Sequence, residues 1–198
     1  MFDMSSITPL CLFIGCPSII GTVFLVLGLN ERYRRPLVKA FELILFLFYL
    51  FLLFIILLGG FRFHFGYHTN LWFYMKRSCN LIPFKTISNY FNDYIHDSIS
   101  FQIIVDNMLG NLILFSPMGL LLPSLSKKMQ KWNYFIITLF VILFSFELAQ
   151  LLLELGIFDI DDIILNFTGA IIVYCIIKIR PIHKILVKMY VLDNLNTD

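Results

Sequence analysis

The stretch Ser145 to Tyr174, SFELAQLLLELGIFDIDDIILNFTGAIIVY, holds two apolar runs joined by a short acidic connection. Each run is apolar enough to lie in a bilayer, yet Glu147, Gln150, Glu154, Asp159, Asp161, Asp162 and Asn166 sit in and around them. An ionisable side chain at the centre of a membrane helix costs roughly 2.5–3.5 kcal/mol on insertion scales, which makes function its default reading.

The bulk composition points the same way. Of 198 residues, 59% are hydrophobic and 14% charged, with a mean hydropathy of +0.84. Soluble domains carry about 45–50% apolar and about 25% charged residues, so both departures are those that lipid-facing segments produce. A net charge of +2 is too small for a nucleic-acid partner. Cys11, Cys16, Cys79 and Cys175 fall at no metal-ligand or redox spacing and read as packing residues. Asp3 precedes the first apolar run and no Lys or Arg does, which predicts a retained first helix rather than a cleaved signal peptide.

Five runs approach the ~20 residues needed to cross about 30 Å of hydrocarbon: Pro9 to Leu29, Leu37 to Leu58, Ile103 to Leu122, Trp132 to Leu155 and Ile160 to Ile179. Separate spans must be helices, because lipid leaves open backbone groups unsatisfied. The predicted fold is therefore an all-α, multi-pass transmembrane helical bundle of about five spans. Arg32, Arg34, Arg35 and Lys39 lie in the first connection, Lys127, Lys128 and Lys131 in the third, and Lys178, Arg180, Lys184 and Lys188 near the C-terminus. Basic connections face the cytoplasm, so the N-terminus is expected outside and the C-terminus inside. The long second connection, Gly59 to Gln102, is then exterior despite Arg62, Lys76, Arg77 and Lys85. Its aromatics suit the headgroup layer, with Asn80-Leu81-Ile82-Pro83-Phe84 as a fixed turn ahead of a short interfacial helix.

Three helix faces carry the polar residues. Asn107 and Asn111 are four apart, with Gly110 between them, while Pro117 frees the carbonyl of Ile113 and Gly119 permits close helix approach. Glu147, Gln150 and Glu154 form one stripe, and Glu147 lies about 13 Å below Gly156 at 1.5 Å per residue. Asp159, Asp162, Asn166 and Gly169 share a third face, on which Asp159 also suits an N-cap and Asp162 a favourable place on the helix dipole. Two readings stand. The groups serve their own helices as caps and interhelical bonds, or Asn107, Asn111, Glu147, Gln150, Asp159, Asp162 and Asn166 converge on one outward-opening polar cavity. Lys76, Arg77 and Lys85 would either rim that cavity or be solvated surface charge. His64 and His68 are four apart with no third ligand at a convincing distance, so no metal is expected, and no Ser or Cys nucleophile adjoins a His.

Three blocks together resemble the VanZ family of bacterial membrane proteins: Asn80-Leu-Ile-Pro-Phe84; Asp106-Asn-Met-Leu-Gly-Asn-Leu-Ile-Leu-Phe-Ser-Pro-Met-Gly119; and Phe146-Glu-Leu-Ala-Gln150 running into Phe158-Asp-Ile-Asp-Asp-Ile-Ile-Leu-Asn-Phe-Thr-Gly169. The resemblance covers roughly Leu37 to Ile179. The family pattern falls on Asn80, Pro83, Phe84, Asn107, Asn111, Pro117, Gly119, Glu147, Gln150, Asp159, Asp162, Asn166 and Gly169. It implies a multi-pass protein of the bacterial cell membrane, with members linked to reduced susceptibility to teicoplanin-type glycopeptides, and no settled reaction. Residues 1–36 then form an added helix and basic cytoplasmic loop, 37–179 the shared membrane domain with its outer loop at 59–102, and 180–198 a cytoplasmic tail. The chain departs from many members in having Gly156-Ile157-Phe158 where an Arg is common, and Val173 where a second Gly is common.

Two functions are compatible with these residues. The first is a non-enzymatic protein that binds membrane lipid or an amphiphilic, glycopeptide-type compound in the cavity, without cofactor, metal or catalytic residue. The alternative is an intramembrane enzyme acting on a lipid-linked cell-wall intermediate, with Glu147 or Asp162 as general base and a hard cation bound between them. A homo-oligomer or another membrane protein is the further partner class.

Overall fold

A computed structural model describes residues 20–23, 28, 30–58 and 71–194 of the chain. The first expected span falls almost wholly outside these residues, as do His64 and His68. The other four expected spans are four helical segments long and apolar enough to cross a membrane. The only strand structure among the described residues is one two-residue parallel pairing, so the architecture is the all-α multi-pass bundle expected.

Helix α1 runs from Glu31 to Leu58. It begins six residues before the expected start because it passes through Pro36. The missing proline N–H deprives only one carbonyl, at the exposed Arg32, where water can replace it. Its outward face, including Ile44, Leu47, Phe48, Phe51, Phe54 and Ile55, is exposed. On a soluble protein such a patch would be a liability, and on this one it is the lipid contact. Buried Glu42 on the same helix accepts from the Thr22 hydroxyl at 3.1 Å. This intramembrane acid went unremarked in the sequence reading.

The second connection contains α2 (Leu71–Arg77), β1 (Cys79–Asn80) and α3 (Lys85–Ile95). The next span is broken. Helix α4 (Phe101–Leu114) stops three residues before Pro117, and α5 (Met118–Leu125) continues from it. The carbonyl of Ile113 that Pro117 cannot serve is taken by the Ser116 N–H at 3.1 Å and its hydroxyl at 2.8 Å, and the Tyr49 hydroxyl of α1 donates to the carbonyl of Leu114. The interruption thus leaves both carbonyls bonded inside an apolar bundle, as a membrane demands.

Helix α6 (Trp132–Leu152) ends earlier than expected. Glu154 adopts a left-handed conformation (φ 57°), the N–H of Leu155 reaches the carbonyl of Gln150 at 2.9 Å, and that of Glu154 reaches Leu151 at 3.2 Å. This is the hydrogen-bond pattern of a Schellman terminus. Glu154 therefore belongs to the helix stop, and the expected three-residue polar stripe is reduced to Glu147 and Gln150.

β2 (Phe158–Asp159) then pairs in parallel with β1, Cys79 with Phe158 and Asn80 with Asp159, and leads into α7 (Ile160–Lys178). Helix α7 is the hub, packing against α4, α5, α6 and α8 (Arg180–Lys188). Its approach to α4 and α5 is backbone-close. A Cβ on Gly169 would lie 1.7 Å from the Leu112 carbonyl oxygen, and one on Gly119 would lie 2.3 Å from that of Ala170. Gly110 is buried on α4. The segment expected as a tail is part of the core: α8 folds back so that Leu186, Val191 and Leu192 are buried.

Candidate functional site

The acidic end of the bundle, expected outside, is built from the connection between α6 and α7 and the second connection lying over it. Asp159 is the N-cap of α7 and accepts from the Asp161 N–H at 2.9 Å. The capping explanation for Asp159 is thus realised, and its carboxylate does more. It also accepts from the Asn80 side-chain amide at 3.0 Å and the Thr86 hydroxyl at 2.5 Å, which fastens β1 and the start of α3 to α7.

Asp161, left out of the expected cavity, is the most heavily bonded acid. One carboxylate oxygen accepts from the Phe84 N–H at 2.5 Å and the other from the N–H groups of Thr86 and Ile87 at 2.8 and 3.2 Å. These are the orphan donors at the N-terminus of α3, so an acid on another helix supplies the cap that Phe84 cannot. Phe84 holds a left-handed conformation (φ 64°) to present them. The expected turn is therefore real in a specific sense. Asn80 accepts weakly from the Ile82 N–H at 3.4 Å and donates to Asp159 and Thr86, while Pro83 and the side chains of Leu81, Ile82 and Phe84 stand exposed. An acid one residue into a helix gave the sequence no sign of this reach, since its partners are 74 to 77 positions away.

Asp162 points elsewhere. It accepts from the Asn111 side-chain amide of α4, and both residues line a cleft of about 530 Å³. The other walls include Asp159 and Asn107 from the expected set, Asn80 from the expected turn, and Arg77, Cys79, Lys85, Thr86, Asn89, Tyr90 and Ile157 from the second connection and the approach to α7. Tyr90 is held above the usual phenol range by burial first, then by the negative charges of Asp162 and Asp159. It therefore stays a hydrogen-bond donor. Lys85 and Arg77 face the cleft, whereas Lys76 lies 5.1 Å over the Trp72 ring and is not among its walls.

Three of the seven expected residues do not line this cleft. Glu147 is buried on α6 and accepts from the Asp159 N–H at 3.4 Å, so it supports the backbone of β2. Gln150 donates to the Leu57 carbonyl at 3.2 Å, tying α6 to α1. Asn166 is buried on α7, with its side-chain oxygen accepting no hydrogen bond from the described residues. Asn107 is at the cleft but spends its amide N–H on the Ile103 carbonyl of its own helix at 2.7 Å. The heptad-like spacing that put these residues on common faces was correct for each helix, but it could not say which neighbour each face meets. Among the described residues no three His, Cys, Asp or Glu side chains gather as metal ligands.

The surroundings of the cleft are apolar. Ile157 on its wall and Leu81, Ile82 and Phe84 beside it are more than half exposed, as are Trp72 and Phe73 on α2. Such side chains at the level of the headgroups dip into lipid, so a polar chamber opens next to a greasy collar.

A family model described as VanZ/LLP1 matches residues 46–181, which include every wall of the cleft. No curated protein and no solved structure matches the chain.

Proposed function

The chain belongs to the VanZ/LLP1 family and is a multi-pass membrane protein; from that premise we propose that it resides in a bacterial cell membrane and binds an envelope lipid or a glycopeptide-type amphiphile in the acidic-end cleft. Occupation of the cleft would lower susceptibility to such compounds. One observation carries the reading. A chamber lined by acids, amides, a phenol and two cations lies against exposed Leu81, Ile82, Phe84 and Ile157, which is the arrangement an amphiphile needs: a polar head enclosed and a tail left in lipid.

Cys79 offers the test. It lines the cleft and is exposed, so a membrane-impermeant maleimide applied from outside should label it in a variant whose other cysteines are replaced. Teicoplanin or an extracted envelope lipid, titrated into nanodisc-held protein, should slow that labelling saturably, and Asp162→Asn should weaken the protection without abolishing it. A labelling rate indifferent to every amphiphile would end the binding reading. Release of a cleaved product from a labelled undecaprenyl-linked substrate would replace it with catalysis.

A further inference from the structure

The three acids at this end differ in what they have left to give. Both oxygens of Asp159 and both oxygens of Asp161 already accept protein donors. Asp162 receives one, from Asn111 on one oxygen, and its second oxygen accepts none from the described residues. No Lys, Arg or His among the described residues pairs with any of the three acids, since the ion pairs present join Arg34 to Glu31 and Arg35 and Lys39 to Asp193. The same holds for the cations opposite. Arg77 and Lys85 line the cleft without a carboxylate partner among the described residues, and the Arg77 guanidinium lies 5.7 Å over the Phe73 ring.

A cleft lined by acidic and basic side chains that form no ion pair with one another among the described residues is complementary to a ligand that carries both charges. Resting on the binding reading above, we infer that the ligand's head combines a phosphate with a primary amine, the phosphate meeting Arg77 and Lys85 and the ammonium meeting the spare oxygen of Asp162. The backbone that carries each of them is anchored. Arg77 is two residues from Cys79, whose strand pairs with Phe158, and Lys85 follows Phe84, whose N–H is fixed on Asp161. Asp162 is in the first turn of α7, the hub helix. An arginine fork and a lysine suit phosphate oxygens, and a carboxylate with one free oxygen suits an ammonium, each as a charge-assisted contact. A phosphate without an amine would leave Asp162 and Asp159 facing it with repulsive charge.

The experiment compares headgroups on the intact protein in detergent micelles, following bound lipid by native mass spectrometry and Cys79 protection. Phosphatidylethanolamine should bind saturably, phosphatidylglycerol at least about tenfold more weakly, the loss of one charge-assisted contact, and diacylglycerol not at all. Asp162→Asn should erase the preference between the two phospholipids, and Arg77→Gln with Lys85→Gln should weaken both by a similar factor. The comparison of lipids on unaltered protein stands even if a variant fails to fold. Equal affinity for the two phospholipids would overturn the amine assignment while leaving the binding reading intact. Magnesium raising phosphatidylglycerol to equal affinity would also overturn it, because the acid would then be seating a cation. Binding of none of them, with amphiphiles failing to protect Cys79, would remove the binding reading itself. Soluble glycerophosphoethanolamine competing at the lipid's own affinity would support the phosphate and amine pairing and assign it to a water-soluble source.

Discussion

The two ends of the bundle solve the same problem in opposite ways. At the basic end, long cationic side chains reach out to carbonyls. Lys39 donates to Ser124 at 2.7 Å and Val191 at 3.0 Å and pairs with Asp193 at 3.3 Å, while Lys178 and the Tyr174 hydroxyl both reach the Gln130 carbonyl at 2.6 Å. Arg35 closes on Asp193 at 3.0 Å, so the C-terminal segment is stitched shut. At the acidic end the charged groups are short. Asp159 and Asp161 cannot reach far, and the second connection is brought to them. The result is a clamp with a cleft beside it, where Asp162, Lys85 and Arg77 are left facing open space. Flexible cations fill the space at a helix end; rigid carboxylates shape it.

That contrast can be broken at its hinge first. Gly169→Ala places a methyl against the Leu112 carbonyl, where backbone rather than side chain must yield. A destabilisation of about 3 kcal/mol is expected, the upper range for overpacking, read as a lowered unfolding midpoint in detergent with both ends loosened together. Next comes the clamp. Asp161→Ala strands the N–H groups of Phe84, Thr86 and Ile87 and should cost about 2 kcal/mol. Hydrogen exchange should rise at residues 84–90 and stay unchanged at 186–194, whereas Asp162→Asn should leave exchange at 84–90 as it was. If both acids protect α3 equally, the division between clamp and cleft is wrong.

Lys39→Met tests the basic end, with an expected cost of about 1 kcal/mol and faster exchange confined to residues 186–194. The smallest effect concerns Tyr90. Its phenol is raised above the ordinary value of 10.0, so the folded state favours the protonated form. The stability this contributes is fully present below about pH 10 and is lost as pH climbs from there through the folded-state value. Absorbance titration of Tyr90→Phe should show one late-titrating tyrosine fewer than the unaltered protein.

Much of this was legible without coordinates. The spans follow from hydropathy and length because lipid permits only helices with internally closed backbones. Pro117 announced an unserved carbonyl at Ile113, Gly119 a close helix contact, and Asp159 a cap. These are local properties, set by a residue's own backbone or its immediate turn. What escaped was pairwise. Nothing in the spacing of Glu147, Gln150 and Asn166 told which helix each would face, and all three turned from the cleft to support β2, tie α6 to α1 or lie buried in the bundle.

The amino-acid order alone determined that this protein crosses the membrane repeatedly and concentrates acid at one end, because hydrophobic length and charge are summed along the chain. Only the tertiary structure decided which acid closes a cap and which is left at the wall of the cleft. That choice depends on donors more than seventy residues away, brought within hydrogen-bonding distance by the pairing of Asn80 with Asp159.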